Sequence, residues 1–170
     1  MPNISMPNGQ NAVKYYFLAF IVLLFDQVTK YYFNATFTLY QTVDVLPPVL
    51  NWTLAYNHGA AFSFLADQNG WQKWFFAILG LLVIGFVIVH LRKIPKSAKV
   101  LSLGLAMVLG GALGNVIDRF LHGYVIDFIH VHYANVWHYP IFNVADIGLC
   151  VGMTLVIWDM LFLEKARQKR

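Results

Sequence analysis

The sequence predicts a mainly α-helical membrane protein, a four-transmembrane-helix bundle with a small extracytoplasmic β-sheet and a short outer helix. Three observations predict it. Hydrophobic residues make up 59% of the 170 residues and charged ones only 12%, against about 45–50% and about 25% in an average soluble domain. Four apolar runs are each long enough to span a bilayer. The basic residues gather in short clusters between and beyond those runs. The mean hydropathy is +0.58. This composition excludes a disordered tail, a disulfide scaffold and a typical soluble enzyme. The chain reads as a single integral membrane domain, residues 1–170, with no room for a large separate soluble one. Cys150 stands alone, so no intrachain disulfide is possible.

The first run extends from Tyr15 to about Phe33 and the second from about Trp71 to Leu91. The third extends from about Val100 to Ile117 and the fourth from about Asn143 to Leu163. A span needs about 20 mostly apolar residues. Backbone groups in lipid must pair within their own segment, so these runs cross as helices. Residues 1–13 form a loose polar tail. The first run resembles a signal peptide only superficially: it carries Asp26 and Lys30, and no small-residue cleavage site follows.

Charge sets the expected orientation. Arg92, Lys93, Lys96 and Lys99 lie between the second and third runs, and Lys165, Arg167, Lys169 and Arg170 follow the fourth. No Lys or Arg occurs between Lys30 and Lys73. Short basic loops stay in the cytoplasm, so both termini and the 92–99 loop are expected inside. Segments 34–70 and 118–142 are then outside. Topology accounts for the net charge of +4, and nucleic acid is not an expected partner.

The outer stretch Thr36–Tyr56 is rich in Thr, Val, Leu, Tyr and Trp, with Pro47-Pro48 as a break. It predicts two or three short strands. A sheet that small buries too little to stand alone, so it must lean on the bundle or the lipid surface. Asn57, Gly59 and Ala60 suit a turn, and the chain then turns helical to about Ala66.

Ionisable groups at membrane depth are costly, about 2.5–3.5 kcal/mol each at the centre of a span. Asp26 and Lys30 are one helical turn apart in the favoured ion-pair order. A pair that snorkels at the interface is at least as good a reading as a chemical role. Gly110 and Gly114 make a small-xxx-small face for close helix approach. Asn115, Asp118 and Arg119 share one face of the third helix's outer end. Either they are an anchor with a local Asp118–Arg119 pair, or they offer an amide and a guanidinium to a ligand.

Asp127 lies in the apolar stretch Tyr124-Val-Ile-Asp-Phe128, and Asp146 in the first turn of the fourth span. Both are expected at the outer boundary of the membrane. Two carboxyls about 3 Å apart in a low-dielectric site share one proton. The ionised member then takes a proton from water, and the protonated member polarises a carbonyl and supplies a proton to the leaving amine. Asp146, near a helix N-terminus, suits the anion, and Asp127 the acid.

Other chemistries are weaker. His130 and His132 would share a strand face with His138 close by, but no HExxH motif is present. Interfacial histidines and aromatics account for that stretch, and no metal or cofactor is expected. A Ser–Lys dyad finds only Ser63 outside, with Lys30 and Lys73 as span-end partners. Cys150 is expected to be a small packing residue. The competing non-enzymatic reading is a four-span scaffold or small transporter with Asp26, Asp127 and Asp146 as a proton or cation path. Such a path should hold acids at several depths, whereas these cluster at one face.

Five blocks occur in order: Asp26-Gln-Val-Thr-Lys30, Asn57-His-Gly-Ala-Ala-Phe62, Gly110-Gly-Ala-Leu-Gly-Asn-Val-Ile-Asp-Arg119, Gly123-Tyr-Val-Ile-Asp-Phe128 and Phe142-Asn-Val-Ala-Asp146. On a four-span topology they closely resemble the bacterial lipoprotein signal peptidases, or signal peptidase II. The resemblance implies four transmembrane helices with an outer β-cradle and a short outer helix, in the bacterial inner membrane. It implies an aspartic endopeptidase that cleaves prolipoproteins just before a cysteine already carrying diacylglyceryl. The catalytic pair would be Asp127 and Asp146, with Asn57, Asn115, Arg119 and Asn143 facing substrate or inhibitor. Asp26, Lys30, Gly59, Asp118 and Ala145 would be supporting residues. Membrane lipid and cyclic peptide antibiotics such as globomycin are the further implied partners.

Overall fold

The computed structural model describes residues 11–59 and 70–168. Among these residues, four helices are long and apolar enough to cross a membrane. They are α1 (Ala12–Thr36), α2 (Gln72–Lys93), α3 (Lys99–Leu121) and α4 (Val144–Trp158), the last prolonged by a π-helical turn (Asp159–Leu163) and α5 (Glu164–Gln168). β1 (Thr42–Leu46) and β2 (Leu50–Asn57) follow α1, and β3 (Val125–Tyr133) and β4 (Trp137–His138) separate α3 from α4. The four strands form one antiparallel sheet in the order β1-β2-β3-β4. The expected outer helix ending near Ala66 lies outside the described residues.

α3 is the hub. Its most apolar stretch is 67% buried, against 22% for each of the other three helices. Those three turn large apolar side chains such as Phe17, Phe25, Leu82, Phe86 and Ile157 outward, as lipid-facing helices do. Small residues let the hub be surrounded. A Cβ on Gly110 would meet the Ala19 carbonyl and Val22 of α1. One on Gly114 would run into Asp26 Oδ2, and Gly104 and Gly152 abut each other's carbonyls between α3 and α4. Gly114→Val is therefore expected to lower the unfolding temperature in detergent, through overpacking of about 1–3 kcal/mol. An unchanged unfolding temperature would refute that close approach.

The sheet leans on the helix ends, as its size requires. Phe33 of α1 stacks on Phe128 of β3 with ring centroids 4.2 Å apart, and Leu54 and Ile126 complete a small buried cluster. The chain turns between β1 and β2 at residues 47–49, where Pro47-Pro48 was expected to break it. The strand segment 125–133 adds a partner that the 36–56 stretch does not foretell: Ala55 pairs with Asp127 and Asn51 with His130.

Two expectations are corrected. Asp26 and Lys30 do not snorkel. They are 0% and 1% exposed and face α3. Cys150 is exposed and does not pack in the core.

Candidate active site

α3 runs to Leu121, past the predicted boundary, so Asn115, Asp118 and Arg119 are all helical. They do not act as one surface. Asp118 does not pair with Arg119. Instead Lys30 Nζ lies 2.9 Å from both Asp26 Oδ2 and Asp118 Oδ2. The ammonium also donates to Asn115 Oδ1 at 2.9 Å. The carboxylates' other contacts stitch the bundle to the sheet. Asp26 Oδ1 accepts from Ala145 N at 2.8 Å, and Asp118 Oδ2 from Ile126 N at 3.0 Å. Gln27, adjacent to Asp26, donates to Asp118 Oδ1 at 3.1 Å and also reaches Asp26 and the Gly114 carbonyl. An inventory of ionisable groups passes over Gln27, although a further polar side chain inside a span is itself a signal.

This arrangement orients an amide. Lys30 has no acceptor, so Asn115 must turn its oxygen to it. The Asn115 Nδ2 then donates to Asp146 Oδ1 at 2.8 Å. Asp146 lies at the start of α4 in a reciprocal capping box. Asn143, the N-cap, accepts from Asp146 N at 2.9 Å, and Asp146 Oδ2 accepts from Asn143 N at 3.2 Å. The helix dipole there favours a negative charge.

Asn143 also connects the second carboxyl. Its Nδ2 donates to Asp127 Oδ1 at 2.6 Å and contacts Asn115 Oδ1 and the Ile126 carbonyl. Asp127 Oδ2 accepts from Asn57 Nδ2 at 3.1 Å. Asn57 is itself oriented, because its Oδ1 accepts from Gly59 N at 3.0 Å. The Gly59 carbonyl in turn accepts from Arg119 Nη2 at 3.0 Å, while Arg119 Nη1 reaches the Asn115 carbonyl at 3.1 Å and the guanidinium lies over the Phe76 ring.

Asp127 is 2% exposed. Burial, then the charge of Asp146, pushes its carboxyl from 3.8 up to about 7, although Asn57, Asn143 and Lys30 pull the other way. The two carboxyls thus sense each other and meet the same asparagine. Asn57, Gly59, Asn115, Arg119, Asn143 and Ala145 gather around them, with Asp26, Lys30 and Asp118 beneath. Ala60, in the same turn as Asn57, lies outside the described residues.

His130, His132 and His138 also gather, on the sheet. Burial and the other two histidines hold His130 below its ordinary value. Among the described residues, no group of three His, Cys, Asp or Glu is placed so that it could hold a metal ion.

A bundle of helices able to cross a membrane, with acids and amides collected at one end, defines a class, the multi-pass membrane proteins with a buried polar site. Comparison with known proteins narrows it. The model of the family described as signal peptidase (SPase) II matches residues 18–162. The lipoprotein signal peptidase of Pseudomonas syringae pv. tomato is 45% identical, over 97% of this chain and 96% of that one. That of Pseudomonas aeruginosa (strain PAO1) is 47% identical over 86% of each. A solved structure described as a bacterial membrane enzyme superposes with a TM-score of 0.79 at 29% identity, covering 98% of this chain and 96% of that one. A second so described gives 0.73 at 32% identity, over 94% and 97%. The chain belongs to the signal peptidase II family. It is a protease of lipoprotein processing.

Proposed function

We propose that Asp127 and Asp146 are the catalytic pair of a membrane-embedded aspartic endopeptidase that cleaves diacylglyceryl-modified prolipoproteins just before the lipidated cysteine. The observation that carries the reading is the pair itself. Two carboxyls from β3 and α4 meet one asparagine, Asn143, and burial and charge raise one of them to about 7. Such a pair holds one proton between two sites.

The chemistry needs no covalent intermediate. Asp146, hydrogen-bonded by Asn115 and at a helix N-terminus, acts as the base. It takes a proton from water as the water oxygen attacks the scissile carbonyl carbon. Asp127 gives its proton to the carbonyl oxygen, forming a tetrahedral diol. Return of a proton from the diol to Asp127, and of the Asp146 proton to the amine, breaks the C–N bond and restores the pair. Asn57 and Asn143 orient Asp127, and Arg119 with the Gly59 turn faces the substrate backbone.

On this reading the chain is one integral membrane domain with both termini in the cytoplasm and the pair at the outer face of the bacterial inner membrane. The basic clusters at 92–99 and 165–170 support that orientation. A substrate with an apolar signal helix and a lipidated cysteine presents its scissile bond at that depth. Cyclic peptide antibiotics such as globomycin would occupy the same pair.

The pH profile tests the reading. kcat/KM reports ionisations of the free enzyme. Loss of the pair's single proton should give an alkaline limb with its midpoint at about pH 7, as raised for Asp127. Stability follows the same sign. The folded value lies above the ordinary 3.8, so the contribution of the protonated form is complete below 3.8 and is lost as pH rises through about 7. Asp127→Asn should therefore unfold at a temperature that falls less between mildly acid and mildly alkaline buffer. A flat kcat/KM profile across neutrality would contradict the assignment.

A further inference from the structure

We propose that the groove between α1 and α2, at the end of the bundle away from the carboxyl pair, holds an acyl chain of one anionic phospholipid, with the lipid phosphate on Arg92. α1 and α2 each pack along α3 and scarcely touch one another. The gap between them is a cavity of about 290 Å³. Phe20 and Leu23 of α1 and Ile88 of α2 wall it, and Leu109 and Leu113 of α3 form its floor. Arg92 lines it from the last turn of α2.

The shape suits the hydrocarbon of one leaflet. The lining residues recur three or four apart on each helix, as with Phe20 and Leu23, Ile88 and Arg92, or Leu109 and Leu113, so each helix contributes one stripe. Tyr16, at the charged end, to Leu23 is about 10 Å of helix at ~1.5 Å per residue. Half of a hydrocarbon core is about 15 Å. The groove is also preformed. The Tyr16 hydroxyl crosses the gap and donates to the Ile88 carbonyl at 2.8 Å, which holds the two helices at a fixed spacing. A slot that is already open spares the protein the cost of ordering itself around a chain.

Charge selects the headgroup. Arg92 is exposed, and among the described residues no carboxylate forms an ion pair with it. Lys14, Lys93, Lys96 and Lys99 lie at the same end of the bundle. The acids described at that end are Asp159 and Glu164, and Arg167 takes Asp159. A guanidinium fork matches a phosphate, and basic pockets between membrane helices on the cytoplasmic side hold anionic headgroups. On the orientation proposed above, this groove faces that leaflet. A zwitterionic lipid would bring an ammonium to a patch that is already cationic.

The test uses the full-length protein, delipidated in detergent micelles and titrated with phosphatidylglycerol or with phosphatidylcholine of the same chains. Native mass spectrometry counts the bound lipid. One tightly held phosphatidylglycerol is expected, with phosphatidylcholine weaker. Arg92→Gln should weaken phosphatidylglycerol by about fivefold or more, roughly what one cation near a membrane surface contributes. Lys93→Gln removes the same charge one residue on, outside the groove, and should cost less. Ile88→Trp keeps the backbone carbonyl that Tyr16 needs, fills the slot from its exposed wall and should remove the bound lipid. Equal binding of the two lipids, equal losses from Arg92→Gln and Lys93→Gln, or undiminished binding to Ile88→Trp overturns the proposal. So does one-for-one displacement of phosphatidylglycerol by an apolar signal peptide or by a second copy of the chain, since the groove would then belong to that partner. The mechanism of the carboxyl pair stands or falls separately.

Discussion

Asp127→Asn and Asp146→Asn are each expected to lower cleavage of a diacylglyceryl prolipoprotein by at least about 100-fold, the lower end of what a positioned acid or base contributes. The amide keeps the shape and most hydrogen bonds but neither takes a proton from water nor gives one to the carbonyl. At position 146 it also places an NH2 or a weaker acceptor against Asn115 Nδ2 and Asn143 N, both of which donate to the carboxylate. At position 127 the NH2 likewise meets one of two donors, Asn57 Nδ2 or Asn143 Nδ2, but an uncharged side chain suits a site that is 2% exposed, so the fold should persist. The double variant should be no slower than about the worse single one, since residues acting as a unit are not additive. Near-normal cleavage by either single variant removes the peptidase mechanism. It would not remove the family assignment, which rests on the whole chain.

Lys30→Met is the second large effect. It is expected to cost about 3–5 kcal/mol, the usual result of stripping one partner from a buried ion cluster. Asp26 and Asp118 would remain 0% and 1% exposed with their cation gone. Asn115 Oδ1 would lose its ammonium donor and keep only the longer bond from Asn143 Nδ2, so that Nδ2 is held less firmly on Asp146. Unfolding in detergent should occur at a clearly lower temperature. Residual activity, measured well below that temperature, should also fall. Combining Lys30→Gln with Asp26→Asn and Asp118→Asn should recover much of the stability, because a neutral hydrogen-bonded set leaves no unpaired charge. If Lys30→Met alone is neutral, the ammonium is not the keystone described.

Much of this architecture was legible because lipid imposes local rules. Apolar length marks the spans, and a small-residue spacing marks α3 as the helix that others approach. Cheap-to-place residues are silent, but a carboxylate in an apolar run is not, so Asp26, Asp127 and Asp146 stood out from the chain alone. What was hidden depends on segments far apart in sequence. The pairing of β2 with β3 joins residues 50–57 to 125–133, and nothing local in Val125–Tyr133 names its partner. The partners of Asp118 and Arg119 are hidden for the same reason: Lys30 and the Gly59 carbonyl reach them from other elements. The burial of the Asp26–Lys30 pair does have a local signature in α1. Tyr15, Ala19, Asp26, Lys30 and Phe33 are all buried on α1, at the 3–4 and 7-residue spacings of one helix stripe. Read along that stripe, Asp26 and Lys30 face the bundle.

The central claim is that residues 127 and 146 carry one proton between them. Infrared difference spectroscopy of the protein in micelles reads this directly through the C=O stretch of a protonated carboxyl. One such band should be present in mildly acid buffer, vanish with a midpoint near the value of about 7 raised for Asp127, and be shifted or lost in both Asp127→Asn and Asp146→Asn. A pair already fully ionised in mildly acid buffer, or a band that each substitution leaves untouched, would contradict the account.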